Sequence, residues 1–292
     1  MNTIPVIISS DPKSLATSLE GKRSATVEAE YGSVCVEGSL ATLAHHGPRS
    51  GNPAPCLAEY AGPALAVCQS LEVIGVSHVD LDTLGGIMAL NGIKPKMDSF
   101  WALAAFVDVN GPHRLGESGA TDDDLSRLYA FWAWSQSHRV FPPRDGSAQD
   151  ITSQVQEACE AITAILADDP ALLSAGQTFK DAEDALNASS FRKILGAVAL
   201  RNADGFCNHL YCAPDGTACD AVVAYNRKFR SVTVSFATPR SQDDACSFVQ
   251  GLWGSLAGGH KGIAGSPRGK KMTMRDARIA AEQLARAMQR AA

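Results

Sequence analysis

Hydrophobic and polar positions along the chain follow two different patterns. Up to about residue 190, short apolar runs alternate with longer segments that have apolar residues three and four positions apart, which predicts strands and amphipathic helices. From residue 193, the runs ILGAVALRN, GFCNHLYCAP, ACDAVVAYN and SVTVSFA predict four short strands, followed by two helices. We predict an α/β fold: a mainly parallel sheet in an N-terminal domain, residues 1–190, and a smaller mixed α/β C-terminal domain, residues 191–292.

The first 70 residues form a β-rich section of the N-terminal domain. The runs TVEAEYG, SVCVEG and SLATLA alternate and are broken by glycine, which predicts a meander. A loop rich in Gly, Pro, Ser and Asn follows at residues 45–56 and begins with His45 and His46. Adjacent histidines after a strand suit a metal or phosphate site. The alternative is a solvated loop with two incidental histidines.

The stretch VIGVSHVDLDTLGGIMALNG, residues 73–92, has the densest candidate chemistry. It predicts a buried strand, a polar turn and an apolar helix. If the extended backbone continues past the strand, His78, Asp80 and Asp82 lie on one side of it. Gly85 and Gly86 would then let the backbone approach whatever these three side chains hold.

A second junction of the same kind lies at FVDV, residues 106–109. This run predicts a short strand that ends on a carboxylate, Asp108, with His113 in the turn beyond it. In open α/β sheets, ligands bind just beyond the carboxyl ends of strands, so both junctions are candidates for one site. Asp145 and Asp150 are further candidate acids, although Asp150 also suits the cap of the next helix.

Composition sets outer limits on function. A hydrophobic content of 45% with 20% charged residues is typical of a soluble globular protein, and a net charge of −5 argues against a large basic nucleic-acid surface. No apolar run approaches the ~20 residues of a spanning helix, and the first residues lack a signal pattern. We expect a cytoplasmic protein without a membrane partner. The eight cysteines contain no C-x-x-C pair and are expected to be free thiols.

Histidine and aspartate at H-x-D-x-D spacing suit a divalent metal. Carboxylates favour Mn, Mg or Ca, and imidazole shifts the preference toward Mn, Fe, Zn or Co. Ligands drawn from several strand ends fit a two-metal hydrolytic site. Near the C-terminus, GGHKGIAG at residues 258–265 offers backbone N–H groups, as phosphate-binding loops do. The alternative for this run is a plain tight turn.

Three of these stretches resemble the DHH phosphoesterase family. VIGVSHVDLDTLGG resembles its first motif. GGHKGIAG resembles the Gly-Gly-Gly-His-x-x-Ala-Ala-Gly signature of the DHH-associated C-terminal domain, with Ala257 in place of the first Gly and Ile263 in place of the first Ala. FRSVTVSFA resembles the Arg-Ser strand of that domain, with Arg230 and Ser231 at the matching positions. The resemblance covers roughly residues 71–270.

The resemblance implies a metal-dependent phosphodiesterase or exonuclease-like hydrolase acting on short oligonucleotides or nucleotide-like substrates. It implies two Mn²⁺ ions, with Mg²⁺, Fe²⁺, Co²⁺ or Zn²⁺ as alternatives, and an activated water between them. Asp80, Asp82 and Asp108 would be catalytic. The implied metal ligands are His78, Asp80, Asp82 and Asp108, completed by His45, His46 or His113. The implied substrate-binding residues are Arg230, Ser231, Gly258, Gly259, His260, Gly265 and Arg268.

The chain departs from the family pattern at the third motif. No Asp-His-His run follows Asp108, and the adjacent histidines His45 and His46 lie upstream of the first motif. Either this pair folds back onto the metals, or one metal site is altered. Alternative functions are therefore a non-hydrolytic nucleotide-binding regulatory protein on the same fold, or a related hydrolase with a different phosphorylated substrate. Expected partners are a phosphorylated small molecule or short oligonucleotide, and the amphipathic helix at 273–290 could support a homodimer.

Overall fold

The computed structural model describes residues 3–46, 49–60, 63–237 and 244–291, with backbone alone at 63–65 and 291. The chain forms two compact units. Unit 1 comprises Met1–Val109 and Ala120–Phe179, and unit 2 comprises Asn110–Gly119 and Lys180–Ala292. The boundary predicted after residue 190 falls at the end of a long helix, whereas unit 2 begins inside that helix, at Lys180.

Unit 1 is built on a five-stranded sheet flanked by helices. Its strands are β1 (Val6–Ile8), β2 (Ser24–Val27), β5 (Ala41–Leu43), β6 (Val73–Val76) and β7 (Gln149–Asp150), with a separate hairpin of β3 (Glu30–Tyr31) and β4 (Val34–Cys35). Its helices are α1 (Pro12–Leu19), α2 (Pro63–Ser70), α3 (Leu81–Leu90), α4 (Asp98–Asn110), α5 (Asp122–Ser135), α6 (Thr152–Leu166) and the first part of α7 (Pro170–Ser190). A short 3₁₀ turn at Pro55–Leu57 packs against α3.

The sheet of unit 1 has the strand order β5-β2-β6-β1-β7 and is parallel except for β7. Val27 pairs with both Leu43 and Val76, so β2, β5 and β6 end at the same edge. All four residues of β2 and all four of β6 are buried, as central strands of a sheet covered on both faces require. This sheet, together with the mixed sheet of unit 2, confirms the predicted α/β class.

The predicted meander within the first 70 residues is wrong. The strand β2 does not pair with its neighbours in sequence but lies between β5 and β6, parallel to both. The run SVCVEG contributes only β4, which closes the small hairpin with β3. Burial explains the difference, because all four residues of β2 are buried and a parallel position between two strands covers them.

The predicted strand at FVDV is also wrong, since these residues form the last turns of α4. The helix is anchored by Phe100 and Trp101, which are almost fully buried. Phe100, Ala104 and Asp108 are spaced four apart and therefore share one helical face. The β-propensity of two valines and a phenylalanine is overridden by this packing.

Unit 2 is a six-stranded mixed sheet with helices. Its strands are β8 (Phe191–Leu195), β9 (Val198–Ala203), β10 (Ala221–Asn226), β11 (Ser231–Phe236), β12 (Gly258–Gly259) and β13 (Ile263–Gly265), in the order β12-β13-β11-β10-β9-β8. Only β9 and β10 are parallel. The helices α8 (Ala245–Trp253) and α9 (Met274–Ala291) accompany the sheet, together with the end of α7 and a 3₁₀ segment at Pro112–Glu117.

The run GFCNHLYCAP is not the strand that its apolar residues predict. It forms an irregular loop with a single bridge between Cys212 and Ala218. The fully buried Arg201 accounts for this conformation, because its guanidinium donates to the carbonyl oxygens of Leu210 at 2.6 Å and Cys212 at 2.8 Å. Backbone carbonyls satisfied by a side chain do not need a neighbouring strand.

The final helix α9 buries its apolar face within unit 2. Ala277, Ala281, Leu284 and Met288 join the core formed with the sheet, whereas Ile279 is 40% exposed. The apolar face of α9 is therefore covered by the same chain, and the homodimer stays a prediction.

The structure also shows the state of the cysteines and the character of the helices. All eight cysteines are free thiols. Among the described residues, helices that combine the length and apolarity needed to cross a membrane are absent.

Candidate metal centre

Three parallel strands deliver polar side chains to one edge of the sheet in unit 1. Glu28 directly follows β2, His45 and His46 follow β5, and His78 follows β6. Because β2, β5 and β6 end in register, these residues meet where α/β sheets bind ligands. Glu28 has a left-handed backbone (φ 49°), an uncommon conformation for a residue with a side chain, which turns the chain sharply at this edge.

Helix α3 brings Asp82 to the same place. Asp80 caps the helix, its carboxylate accepting a hydrogen bond from the Thr83 N–H at 2.8 Å, and Asp82 lies in the first turn. One oxygen of Asp82 accepts the backbone N–H of Cys56 at 2.8 Å, which leaves Oδ2 directed elsewhere. The strand therefore does not continue far enough for His78, Asp80 and Asp82 to alternate along it, as an extended backbone would require.

Gly85 and Gly86 make the close approach possible, but to the 3₁₀ turn and the sheet. A Cβ on Gly85 would lie 2.5 Å from the Cβ of Cys56, and one on Gly86 would lie 2.8 Å from atoms of Pro55 and Val27. Side chains at these positions would push the turn away. The two glycines thus hold the Cys56 N–H against Asp82.

Five side chains form a single cluster at this edge. The Nε2 atom of His45 lies 3.0 Å from Asp108 Oδ2, 3.2 Å from Asp82 Oδ2 and 3.5 Å from Glu28 Oε1. The Nε2 atom of His46 lies 3.0 Å from Glu28 Oε2 and 3.3 Å from Asp108 Oδ2. These atoms make two overlapping ligand groups, Glu28 with His45 and His46, and His45 with Asp82 and Asp108.

The spacing of these atoms fits a divalent cation. Both carboxylate oxygens of Glu28, Nε2 of His45 and the Oδ2 atoms of Asp82 and Asp108 are buried, yet none makes a hydrogen bond of acceptable geometry. Buried polar groups without partners are costly, so a cation is the natural complement of this set. Donors about 2.1 Å from an ion lie about 3.0 Å apart in octahedral and 3.4 Å apart in tetrahedral geometry. The distances from the imidazole nitrogens to the carboxylate oxygens, 3.0–3.5 Å, fall in this range.

Charges within the cluster perturb its titration. Burial raises the pKa of Glu28 to about 8 and outweighs the opposing attraction of His45. The carboxylates of Asp108 and Asp82 raise the pKa of His45 to about 10. Both groups therefore hold protons at neutral pH, and both protons would have to leave before the side chains could ligate a cation.

His78 and Asp80 form a separate pair beside the cluster. The Nε2 atom of His78 lies 3.2 Å from Asp80 Oδ2, and both side chains are about half exposed. Burial opposes the charged imidazole, but Asp80 outweighs it and raises the pKa of His78. Nδ1 of His78 lies 2.9 Å from the hydroxyl of Ser77, which itself donates to the Glu28 carbonyl. His78 is thus held at the same strand ends as the cluster. It lies close enough to Glu28 and Asp108 for their negative charges to contribute to its raised pKa.

The remaining candidate ligands have other surroundings. The ring of His113 packs edge-on against Tyr211 in unit 2, with centroids 5.5 Å apart. Asp145 accepts the backbone N–H and the hydroxyl of Ser147, and Asp150 does the same for Thr152. Neither ligand group of the described residues contains His113, Asp145 or Asp150.

The predicted substrate-binding residues of unit 2 divide between the two ends of β11. Ser231 begins this strand directly after Arg230, and Gly265 lies near them because it pairs with Thr233. Arg268 follows Gly265 along the chain. His260 lies in the turn between β12 and β13, beside the other end of β11, where the Phe236 N–H donates to Gly262. Six residues of strand span about 17 Å at ~3.4 Å per residue. One phosphate therefore cannot contact both Arg230 and His260.

The glycine-histidine run is a tight hairpin with Gly258 paired to Gly265 and Gly259 to Ala264. A Cβ on Gly259 would lie 2.4 Å from the Ile263 carbonyl oxygen, so glycine is required here by the hairpin itself. Gly258, Gly259 and His260 are exposed. The tight hairpin alone therefore explains the glycine at position 259. The phosphate-binding role of the run stays a prediction.

Glu28 is the member of the cluster that the sequence did not indicate. It lies in TVEAEYG, where alternation makes it look like an ordinary outward-facing position of an antiparallel strand. The available signal is its place immediately after a short run of apolar and small residues, the same place that His78 occupies after β6.

Comparisons with known proteins add little to this geometry. No family model matches the chain, and no curated protein matches it. Among solved structures, the crystal structure of an uncharacterized protein from Helicobacter pylori G27 is similar over 84% of this chain and 74% of its own, with 12% sequence identity and a TM-score of 0.22. The evidence for the candidate metal centre is therefore the geometry of its own side chains.

Proposed function

We propose that this protein is a divalent-cation-dependent phosphoesterase that hydrolyses phosphodiester bonds in a short oligonucleotide or nucleotide-like substrate. The single observation that supports this most is the cluster of buried carboxylate and imidazole atoms that lack hydrogen-bond partners and are spaced 3.0–3.5 Å apart. The resemblance of residues 73–86 to the first DHH motif favours the same chemistry.

Each ligand has a defined part in this proposal. Glu28, His45, His46, Asp82 and Asp108 hold the cation, and the mixed donor set favours Mn²⁺, with Fe²⁺, Co²⁺ or Zn²⁺ as alternatives and Mg²⁺ less well matched to imidazole. Bound divalent cations supply charge that steadies phosphoryl oxygens and lower the pKa of water.

The remaining residues position groups around that centre. The Cys56 N–H orients Asp82, as outer-shell partners of ligands do. Asp80, fixed by the Thr83 N–H, orients the half-exposed imidazole of His78, which can hydrogen-bond a substrate oxygen. In unit 2, Arg230 or His260, but not both at one phosphate, would contact a more distant part of the substrate.

The test is turnover of a substrate panel with and without Mn²⁺. The panel contains oligonucleotides, dinucleotides, pyrophosphate and phosphate monoesters. We expect Mn²⁺-dependent cleavage of phosphodiesters, and a loss of at least about 100-fold in Asp82→Asn, because removing a ligand charge exceeds the ~10–100-fold cost of an outer-shell change. Asp145→Asn, an exposed acid outside the cluster, serves as the control and should retain wild-type turnover.

Other outcomes separate the alternatives. Tight nucleotide binding without turnover would support the regulatory protein and refute the phosphoesterase. Cleavage limited to pyrophosphate or monoesters would support the related hydrolase with a different substrate. Phosphodiester cleavage that Asp82→Asn leaves intact would refute the assigned centre.

A further inference from the structure

A cavity of about 270 Å³ opens beside the metal centre within unit 1. Asp80, Asp82 and Asp108 form part of its wall, together with apolar residues of α3 and α4, and further residues come from α5, the segment that follows it and α6. The volume is slightly below the roughly 300–1,000 Å³ of pockets that enclose drug-sized ligands. It therefore suits one ring system with a short attachment, placed next to the cluster.

Aromatic side chains dominate the part of the wall contributed by α5 and the following segment. They are Phe131, Trp132, Trp134 and Phe141. Phe131 is buried and Trp132 half-buried, but Phe141 is 71% exposed and precedes two prolines, which restrict its backbone. An aromatic ring that is exposed beside a cavity offers its face to a planar ligand.

Polar groups lie among these rings. The imidazole of His138 stacks on Trp134 at 4.2 Å, and its Nδ1 lies 2.8 Å from the Trp134 carbonyl oxygen. In the neutral ring Nδ1 is therefore the donor, which leaves Nε2 as an acceptor. Arg139 also lines the cavity, and over the described parts of the chain no carboxylate forms an ion pair with it.

We propose that this cavity binds a nucleobase, which packs against the rings of Phe141 and Trp132 while its attached phosphate faces the metal centre. The inference rests on the proposed function and names the part of the substrate that is recognised. A base has an apolar face for the rings and a polar edge for His138 and Arg139. An aliphatic chain of the same volume would offer neither a ring face to the aromatic side chains nor a hydrogen-bonding edge to His138 and Arg139.

Calorimetric titration with two ligands tests this in the presence of Mn²⁺. Adenosine 5′-monophosphate carries a base and ribose 5-phosphate does not. We expect the full chain to bind the first about 5- to 150-fold more tightly, which is the effect of stacking one base on aromatic side chains. Phe141→Ala should lower the affinity for adenosine 5′-monophosphate by about tenfold and leave that for ribose 5-phosphate unchanged.

Phe206→Ala is the matched control, because Phe206 is 70% exposed and belongs to unit 2. It should leave both affinities unchanged. Equal affinity of the wild type for the two ligands, or a Phe141→Ala variant that binds adenosine 5′-monophosphate as the wild type does, would overturn the inference. Cleavage of phosphodiesters without base preference would refute this inference and leave the proposed function standing. Base-dependent binding without cleavage would refute the proposed function and leave this inference standing.

Discussion

Replacing Gly85 by alanine tests how the fold holds the centre. The added Cβ would lie 2.5 Å from the Cβ and 2.8 Å from the Cα of Cys56, and these atoms move only with the backbone, not as a side-chain tip can. Overpacking costs about 1–3 kcal/mol, and losing the Cys56 N–H bond to the Asp82 carboxylate costs about 1.5–3 kcal/mol. Alanine returns up to ~1 kcal/mol of helix propensity. The free energy of unfolding should therefore fall by about 1.5–6 kcal/mol.

The assay is urea unfolding of the metal-free protein, combined with Mn²⁺ titration. Gly251→Ala is the matched control, because Gly251 also lies in a helix but a Cβ there meets nothing within 4 Å. We expect it to unfold as the wild type does or to gain up to ~1 kcal/mol. Gly85→Ala should also bind Mn²⁺ about 10- to 100-fold more weakly, as loss of an outer-shell partner does. Wild-type stability and affinity in Gly85→Ala would refute the reasoning.

The remaining predictions concern protons at the centre. Because the pKa of Glu28 is raised to about 8 and that of His45 to about 10, Mn²⁺ binding at pH 7 should release about two protons, and about one in Glu28→Gln. Calorimetry in buffers of different ionisation enthalpy measures this, and affinity that does not rise with pH would contradict it. Glu28 ionises in the unfolded chain near pH 4.5 but in the folded chain near 8, so metal-free stability should fall across that window relative to Glu28→Gln. Parallel urea midpoints would disprove this.

Local pattern was sufficient to predict the elements around residues 73–92. An apolar run, a polar turn and a second apolar segment predict a strand followed by a helix, and β6 and α3 lie there. The strand ended earlier than alternation suggested because Asp80 caps α3, and a cap is a local signal that competes with the extended backbone. At Asp108 the predicted residue and the observed element differ. The side chain joins the cluster, although it comes from helix α4 and not from the predicted strand.

Which strands pair, and in which register, depends on contacts between segments that are distant in the sequence. Glu28 joins His45 only because β2 and β5 pair in parallel, and the alternating run around Glu28 contains no sign of its partner. The register of β13 on β11 likewise places Arg230 and His260 near opposite ends of β11. Neither sequence motif contains information about this distance. Partner choice and register depend on burial across the whole sheet, which a single stretch does not encode.

The most direct test of the centre is the Mn²⁺ content of the purified full chain, measured by elemental mass spectrometry after equilibration with Mn²⁺ and removal of free ion. The account predicts about one ion per chain in the wild type, because the two overlapping groups share the Nε2 atom of His45, whose single lone pair ligates one ion. It predicts well below one in His45→Ala, because this variant loses the donor that is common to both groups. Exposed His209, paired with Glu183, provides the control His209→Ala, which should keep the wild-type content. A wild-type chain without bound Mn²⁺, or a His45→Ala variant that retains all of it, would contradict the account.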